Sequence, residues 1–275
     1  MPQSDLLRDL PLTRHILLRR DGPWLHVTLN RPEVRNALST EMQEDLTAAF
    51  DAVRGDRGVR AIVLRGAGGN FCAGGDIKGF RDSMQASGDA NAIAARNRVY
   101  GRLLAKIQSA PQPVIMLVEG GAMGGGFGLA CVSDVAIATS TARFAMTEVT
   151  LGVIPAQIAP FVARRLGITN ARRLAVTAGR LDATQAQAVG LVHFAVPDAA
   201  AMEAKLGEVL EDIRRTAPGA VAETKRLILA TAETPIESLL DDAAQSFSRA
   251  MLEPEAKEGV AAFLEKRKPA WAQEK

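Results

Sequence analysis

Two apolar runs, each followed by a glycine-rich loop, decide the fold of this chain. Residues 61–65 have the sequence AIVLR and lead into GAGGNFCAGGD (66–76), and Val114–Val118 has the sequence VIMLV and leads into EGGAMGGGFGLA (119–130). A short uninterrupted apolar run is typical of a strand that is buried on both faces of a sheet. Because ligands bind beyond the carboxyl ends of such strands in open α/β sheets, both loops are candidate ligand-binding segments.

The segments around these runs alternate between predicted strands and helices and then become helical. Short β-rich runs predict strands at 15–19 and at Trp24–Leu29. Thr40 and Gln43 form a capping-box pattern, which predicts a helix from there to about residue 54. Further strands are predicted at 135–138 and near 143–145, and further helices at 92–109, 158–166, 170–177, 183–189, 199–215, 219–231, 236–251 and 255–267. This order predicts an α/β fold with a C-terminal helical part.

The composition is that of an ordinary soluble globular protein. The chain has 275 residues, of which 47% are hydrophobic and 23% charged, enough to bury a sizeable core. No apolar run reaches the roughly 18–20 uncharged residues of a membrane span, and the charged N-terminus does not resemble a secretory signal. With two cysteines, Cys72 and Cys131, a disulfide framework is not expected, and a cytoplasmic location is predicted. A net charge of +2 gives no case for a nucleic-acid partner.

The glycine loops do not match the motifs of nucleotide-binding proteins or serine hydrolases. A G-x-G-x-x-G pattern that starts at Gly124 has Leu129 at its sixth position, and one that starts at Gly126 has Cys131. No P-loop and no G-x-S-x-G elbow is present. One glycine loop alone is also typical of a plain turn. Two loops whose amides converge on one point, the second at a helix N-terminus, predict an oxyanion hole.

The two loops resemble the signature loops of the enoyl-CoA hydratase/isomerase family, the crotonases. FCAGGDIK (71–78) and AMGGGFGLACVSDVAIA (122–138) match them, and RPEVRNALS, RFAMTEVTLGVIP, RLDATQAQAVGLV and FLEKRKPAW stand in family order. The resemblance covers nearly all of residues 15–271. It implies a spiral of ββα units that carries the active site over residues 1–197. It also implies a helical region at 198–275 that closes the coenzyme A site and assembles the chains into trimers or pairs of trimers.

The resemblance implies an acyl-CoA thioester substrate and a set of catalytic groups. The amides of Gly75 and Gly125 match those that hold the thioester carbonyl while negative charge develops on it. Hydratases of the family use two glutamates, and in this chain Glu148 matches one of them, whereas Gly128 stands at the position of the other. We therefore expect Glu148 to act alone as acid and base. Apolar neighbours are expected to raise its pKa.

Gly128 also bears on the substrate and on the reaction. Together with TLGVIPAQIAPFV and AFLEKRKPAWAQ it resembles the hydratases of methylglutaconyl-CoA or isohexenylglutaconyl-CoA, which implies terpene or branched-chain catabolism. We expect this glycine to open room beside a branched acyl group. Sites with one glutamate in the family also include double-bond isomerases, so isomerisation is the alternative reaction. A non-catalytic or RNA-binding protein on this fold is a further alternative, against which an aromatic content of 4% argues.

The resemblance further implies which residues bind coenzyme A. Those that match positions along the pantetheine and adenine slot are Arg35, Ala37, Ala73, Asp76 and Ile77, and those that match its nucleotide end are Phe263 and Lys266. Arg267 and Lys268 extend a basic cluster, which is typical either of a phosphate site or of a solvated helix end.

No separate cofactor is expected, because coenzyme A is part of the substrate. His15, His26 and His193 lie far apart in the sequence, and no cluster of histidine, cysteine and aspartate has metal-ligand spacing, so no metal is predicted.

Overall fold

Two sheets form the framework of the computed structural model, which describes residues 10–76, 79, 81 and 89–273. The strands are β1 (Ile16–Asp21), β2 (Trp24–Leu29), β3 (Ala61–Gly66), β4 (Val114–Val118), β5 (Gly121–Met123), β6 (Val135–Thr139), β7 (Arg143–Ala145), β8 (Arg180–Asp182) and β9 (Phe194–Val196). The six-stranded sheet has the order β1-β2-β3-β4-β6-β9 and is parallel except for the β1–β2 pair. A three-stranded sheet has the order β5-β7-β8.

The helices cover both faces of the larger sheet and form the C-terminal part of the chain. They are α1 (Thr40–Val53), α2 (Ala90–Gln108), α3 (Gly125–Cys131), α4 (Ala159–Thr177), α5 (Ala183–Ala188), α6 (Ala199–Arg214), α7 (Pro218–Ala230), α8 (Ile236–Leu252) and α9 (Pro254–Leu264). Short 3-10 turns lie at Pro32–Val34, Glu148–Leu151 and Ala270–Ala272. The prediction of an α/β fold with a helical C-terminal part is confirmed.

Residues of the two central strands alternate between two apolar layers, as the period of a strand requires. Ile62 and Leu64 of β3 face a core that α1 and α2 complete, whereas Val63 faces the opposite layer. In that second layer Ile115 of β4 packs with Met202 of α6. Each of these side chains is at most 1% exposed, and burial of one such side chain stabilises the fold by about 1.5–3 kcal/mol. This two-sided burial explains why β3 and β4 are continuous apolar runs.

Three details differ from the sequence predictions. Helix α1 is capped by Ser39, whose hydroxyl accepts a hydrogen bond from the Met42 amide at 3.2 Å, so the predicted cap at Thr40 is one residue late. The predicted helices at 158–166 and 170–177 are the two halves of α4, which breaks at Gly167, where φ is 72°. The three-residue strands β5, β8 and β9 were not predicted, because so short a segment shows no periodicity.

The C-terminal helices carry large apolar side chains that the single chain leaves exposed. Ile228, Leu240, Phe247, Leu252 and Phe263 are between 55% and 83% exposed. An apolar surface of this kind is typical of a protein–protein interface, in line with the trimers or pairs of trimers that the family resemblance implies. Assembly, the boundary near residue 197 and the cytoplasmic location stay predictions. In the described ranges, no helix has the length and apolar content to cross a membrane.

Candidate active site

The two glycine loops pair with each other beyond the ends of β3 and β4. The Cys72 amide donates to the Gly121 carbonyl at 2.8 Å, and the Met123 amide donates to the Cys72 carbonyl at 2.9 Å. A Cβ built on Gly74 would lie 3.6 Å from the Gly124 Cα, so the backbones of the two loops touch at this point. The sequence prediction that the loops converge is therefore confirmed.

The amides of Gly75 and Gly125 lie next to this contact. The Leu38 amide donates to the Gly74 carbonyl at 2.8 Å, and the Leu38 carbonyl accepts from the Asp76 amide at 3.3 Å. In such a parallel bridge the N–H of Gly75 points away from Leu38. Gly125 is the first residue of α3, so its N–H has no partner inside the helix. Two neighbouring amides with no protein acceptor in the described part of the chain are the donors that an oxyanion needs.

Strand pairing places Glu148 beside the second loop. Met123 of β5 pairs with Ala145 of β7, and the Gly124 amide donates to the Ala145 carbonyl at 2.8 Å. Glu148 follows three residues later, at the start of a 3-10 turn. A Cβ built on Gly124 would lie 2.9 Å from Glu148 Oε1. Gly124 also has a φ of 48°, so both its backbone and its lack of a side chain allow the carboxyl group to reach the loop.

The environment of Glu148 favours a protonated carboxyl group. Burial raises the pKa of Glu148 above its usual value, against a smaller lowering from a backbone hydrogen bond. Its Oε2 is buried and has no hydrogen-bond partner in the part of the chain that the structure describes. A carboxyl group with a raised pKa and an unused oxygen is suited to exchange protons with a bound molecule.

Tyr100 of α2 belongs to the site, although no sequence pattern singled it out. Its hydroxyl group donates a hydrogen bond to the Gly125 carbonyl. A Cβ built on Gly125 would lie 3.3 Å from the Tyr100 hydroxyl oxygen and 2.7 Å from Leu38 Cδ1. In the sequence, Tyr100 shares the helical spacing of Leu103, Leu104 and Ile107, and so resembles an ordinary core residue. The signal that could have found it is its uniqueness, because the chain has one tyrosine.

The expectation that Gly128 opens room beside the acyl group is wrong. A Cβ built on Gly128 would lie 2.4 Å from Ile158 Cγ2, 3.1 Å from Ile158 Cβ and 3.5 Å from Leu104 Cδ1. Ile158, which is 3% exposed, fills the space that a side chain at position 128 would need. Gly128 therefore makes room for Ile158, and the position that carries a glutamate in two-glutamate hydratases is apolar here.

We expect Gly128→Ala to lower the free energy of unfolding by roughly 1–3 kcal/mol, because the new methyl group overpacks against Ile158. Ile158→Ala removes the obstructing methyl group, so the double variant should lose less than the sum of the two single losses. Urea denaturation of the four proteins measures this coupling. Gly207→Ala is the control, because Gly207 lies in α6 with no atom within 4 Å of its built Cβ. A Gly128→Ala variant as stable as the Gly207→Ala variant would contradict the packing argument.

The residues predicted along the coenzyme A slot lie together. The Ala73 amide donates to the Arg35 carbonyl at 2.9 Å, and the guanidinium of Arg31 donates to the Ala37 carbonyl at 2.7 Å. Arg31 also pairs with Asp76 at 3.1 Å, so the Asp76 carboxylate holds the loop at Arg31–Leu38 against the first glycine loop. Ile77 lies outside the described residues. That these residues bind coenzyme A stays a prediction.

Phe263 and Lys266 are not brought to the glycine loops of the same chain. Helix α9 is anchored at the opposite end of the sheet, where Glu255 pairs with Arg57 at 3.5 Å. Phe263 is 83% exposed. Their role at the nucleotide end of coenzyme A therefore stays a prediction.

One residue of the basic cluster after α9, Arg267, is paired with carboxylates. The Arg267 guanidinium donates to both oxygens of Glu258, at 2.7 and 3.0 Å, and to Glu265 at 2.6 Å. This arrangement leaves Lys266 and Lys268 as the cations of the cluster that could meet a phosphate group.

The Cys72 thiol and the cavity among the C-terminal helices are not part of the proton-transfer site at Glu148. Burial raises the pKa of the Cys72 thiol to about 12, so this residue packs as a neutral thiol in the first loop. A cavity of about 760 Å³ lies between the C-terminal helices and the segments that precede β3 and β4, and neither Glu148 nor the two oxyanion glycines line it. Among the described residues, no group of three or more histidine, cysteine, aspartate or glutamate side chains is placed to hold a metal ion.

The fold places two backbone amides, those of Gly75 and Gly125, beside the half-buried carboxyl group of Glu148. The chain belongs to the enoyl-CoA hydratase/isomerase family, which it matches over residues 22–274. A putative enoyl-CoA hydratase of Thermus thermophilus is 34% identical over 88% of this chain and 95% of its own length.

Solved structures agree with this assignment. Pseudomonas aeruginosa AtuE is 53% identical, with a TM-score of 0.92 over 94% of this chain and 100% of that one. An enoyl-CoA hydratase/isomerase from Marinobacter aquaeolei is 46% identical, with a TM-score of 0.91 over 94% of this chain and 99% of that one. The family resemblance that the loop motifs indicated is confirmed.

Proposed function

We propose that this protein is an enoyl-CoA hydratase that adds water across the double bond of an acyl-CoA thioester. The observation that carries the proposal is the Glu148 carboxyl group beside Gly124, next to the amides of Gly75 and Gly125. A carboxyl group at an oxyanion hole can move protons while the thioester carbonyl carries negative charge. The hydratase names of relatives such as that of Thermus thermophilus support the same reaction.

The reaction follows from these positions. The thioester carbonyl accepts hydrogen bonds from Gly75 and Gly125, which draws electron density from the conjugated double bond. Water then forms a bond to Cβ, and Glu148 takes the proton that this water loses. The resulting enolate accepts a proton from Glu148 at Cα, so the product is a 3-hydroxyacyl-CoA and the carboxylate returns to its starting state. One oxyanion donor is worth about 2.7–4 kcal/mol of the barrier in enzymes of this kind.

For the acyl group we propose a branched glutaconyl chain, as in methylglutaconyl-CoA or isohexenylglutaconyl-CoA, and hence a role in terpene or branched-chain catabolism. The support is a polar patch on α2 beside Tyr100. A Cβ built on Gly101 would lie 2.7 Å from Arg98 Nη1 and 1.9 Å from Gln157 Oε1, and the Gln157 amide donates to Asn97 at 2.9 Å. Among the described ion pairs, none uses Arg98, so its guanidinium is available to the distal carboxylate of such a substrate.

A comparison of kcat/KM for crotonyl-CoA, 3-methylglutaconyl-CoA and isohexenylglutaconyl-CoA tests the acyl group. We expect at least about a tenfold preference for a glutaconyl thioester, since one charge-assisted hydrogen bond contributes about 1.5–3 kcal/mol. Arg98→Gln should reduce this preference and leave crotonyl-CoA unaffected, with Arg102→Gln, an exposed change on the same helix, as the control. A higher kcat/KM for crotonyl-CoA would contradict the glutaconyl assignment and leave the hydratase assignment in place.

Double-bond isomerisation is the second candidate, and the apolar position 128 favours it. A single carboxylate can remove a proton from one carbon of the acyl chain and return it to another without water. A 3-enoyl-CoA in the same substrate comparison distinguishes the two reactions, because isomerisation forms a conjugated thioester and adds no water. Turnover of the 3-enoyl-CoA alone would replace the hydratase assignment.

A further inference from the structure

The Tyr100 hydroxyl group has a fixed direction in the site. It donates its proton to the Gly125 carbonyl, in the first turn of α3. Its ring is partly buried on α2, one helical turn before Leu104, which faces Gly128. The hydroxyl oxygen therefore lies at the residue whose own amide is one of the two oxyanion donors.

This geometry leaves the phenol oxygen as an acceptor. A tyrosine hydroxyl has one proton to donate and two lone pairs that accept. Because the proton is committed to Gly125, the oxygen can offer only lone pairs to a molecule in the site. Burial raises the pKa of Tyr100 well above its usual value, so the phenol stays neutral.

Hydration needs two acceptors around the attacking water. A water molecule that points a lone pair at Cβ has both of its O–H bonds directed elsewhere, and each requires an acceptor if the water is to be held in that orientation. Glu148 supplies one acceptor. Ile158 and Leu104 occupy the surroundings of position 128, so no second carboxylate is available there.

We propose that Tyr100 is a catalytic residue whose phenol oxygen accepts one hydrogen bond from the hydrating water, in place of the second carboxylate. The water oxygen bonds to Cβ, Glu148 removes one proton and later returns a proton to Cα, and Tyr100 keeps its own proton throughout. The proposal rests on the hydratase function proposed above and explains how one carboxylate suffices for it.

Tyr100→Phe tests the proposal, because it keeps the ring and removes the oxygen. With the enoyl-CoA that the unmutated protein hydrates fastest, we expect kcat to fall at least about tenfold, the scale of one lost hydrogen bond in the transition state. KM should change little, since the water does not contact the coenzyme A part of the substrate. Ser133→Ala is the matched control, because the buried Ser133 hydroxyl, two residues after α3, donates to the Ala130 carbonyl of that helix at 2.8 Å.

Binding of acetoacetyl-CoA separates this role from an effect on the oxyanion hole. Its enolate absorbs in the ultraviolet and uses the amides of Gly75 and Gly125 without any water addition, so the Tyr100→Phe variant should bind it as tightly as the unmutated protein does. An unchanged kcat, or a fall in kcat matched by an equal fall in enolate affinity, would overturn the role proposed for Tyr100. If the unmutated protein hydrates no enoyl-CoA, the hydratase function itself fails, and this proposal fails with it.

Discussion

Glu148→Gln is expected to lower kcat at least about a hundredfold, the scale on which general acid–base groups contribute. Glutamine has nearly the same shape as glutamate but cannot carry the proton between water and Cα. Affinity for the CoA thioester should stay close to that of the unmutated protein, because the slot residues are untouched. Steady-state kinetics of hydration and equilibrium binding of a saturated acyl-CoA measure the two quantities. Glu44→Gln, an exposed change on α1, is the control.

The same change should raise the melting temperature at neutral pH. Burial raises the pKa of Glu148 in the folded protein above the usual 4.5, so folding favours the protonated carboxyl group. The protonated carboxyl group therefore adds to the free energy of unfolding. This contribution is complete below pH 4.5 and is lost as pH rises through the pKa of the folded protein. At pH 7–8 a buried carboxylate with an unpaired oxygen is therefore a cost, which glutamine removes. A variant that is slower and less stable would point to a structural role for Glu148.

The pH dependence of hydration follows from the same shift. Glu148 must be ionised to accept a proton from water, so kcat/KM should fall as pH falls through its raised pKa. The acid limb of the profile should therefore lie above pH 4.5.

We expect the kcat of the Gly125→Pro variant to be about 10²–10³-fold lower than that of the Gly125→Ala variant, which is the effect of one lost oxyanion donor. Both changes add a Cβ, which would lie 2.7 Å from Leu38 Cδ1, at the flexible end of that side chain. The proline alone removes the N–H. Gly125 has no positive φ and is the first residue of α3, a position that accommodates proline.

Hydration kinetics of both variants, with circular dichroism and size measurements to verify folding, give the comparison. Equal turnover of the folded proline and alanine variants would mean that the oxyanion is held by groups other than the Gly125 amide.

The parts of the site that could be predicted from the sequence are those encoded in one continuous segment. The buried strands β3 and β4, the glycine loops after them and the position of Glu148 each rest on residues close together in the chain. The contact between the two glycine loops could be anticipated because parallel strands end at the same edge of a sheet.

The features that were missed depend on residues far apart in the sequence. Ile158 fills the space beside Gly128 across 30 positions, and the Tyr100 hydroxyl reaches Gly125 across 25. A glycine in a sequence predicts that a side chain is absent, but not which neighbour occupies the space. A tyrosine on an apolar helix face likewise shows no preference between core packing and a polar contact until the helix is docked.

The central claim, that Glu148 drives addition of water to a thioester held by Gly75 and Gly125, is tested most directly by an isotope measurement. The protein and the Glu148→Gln variant are incubated with an enoyl-CoA in H₂¹⁸O, and the products are analysed by mass spectrometry. The claim predicts that the unmutated protein places one ¹⁸O on the β-carbon of the acyl chain and that the variant does so at least about a hundredfold more slowly. A product without ¹⁸O, or incorporation at the same rate in both proteins, would contradict it.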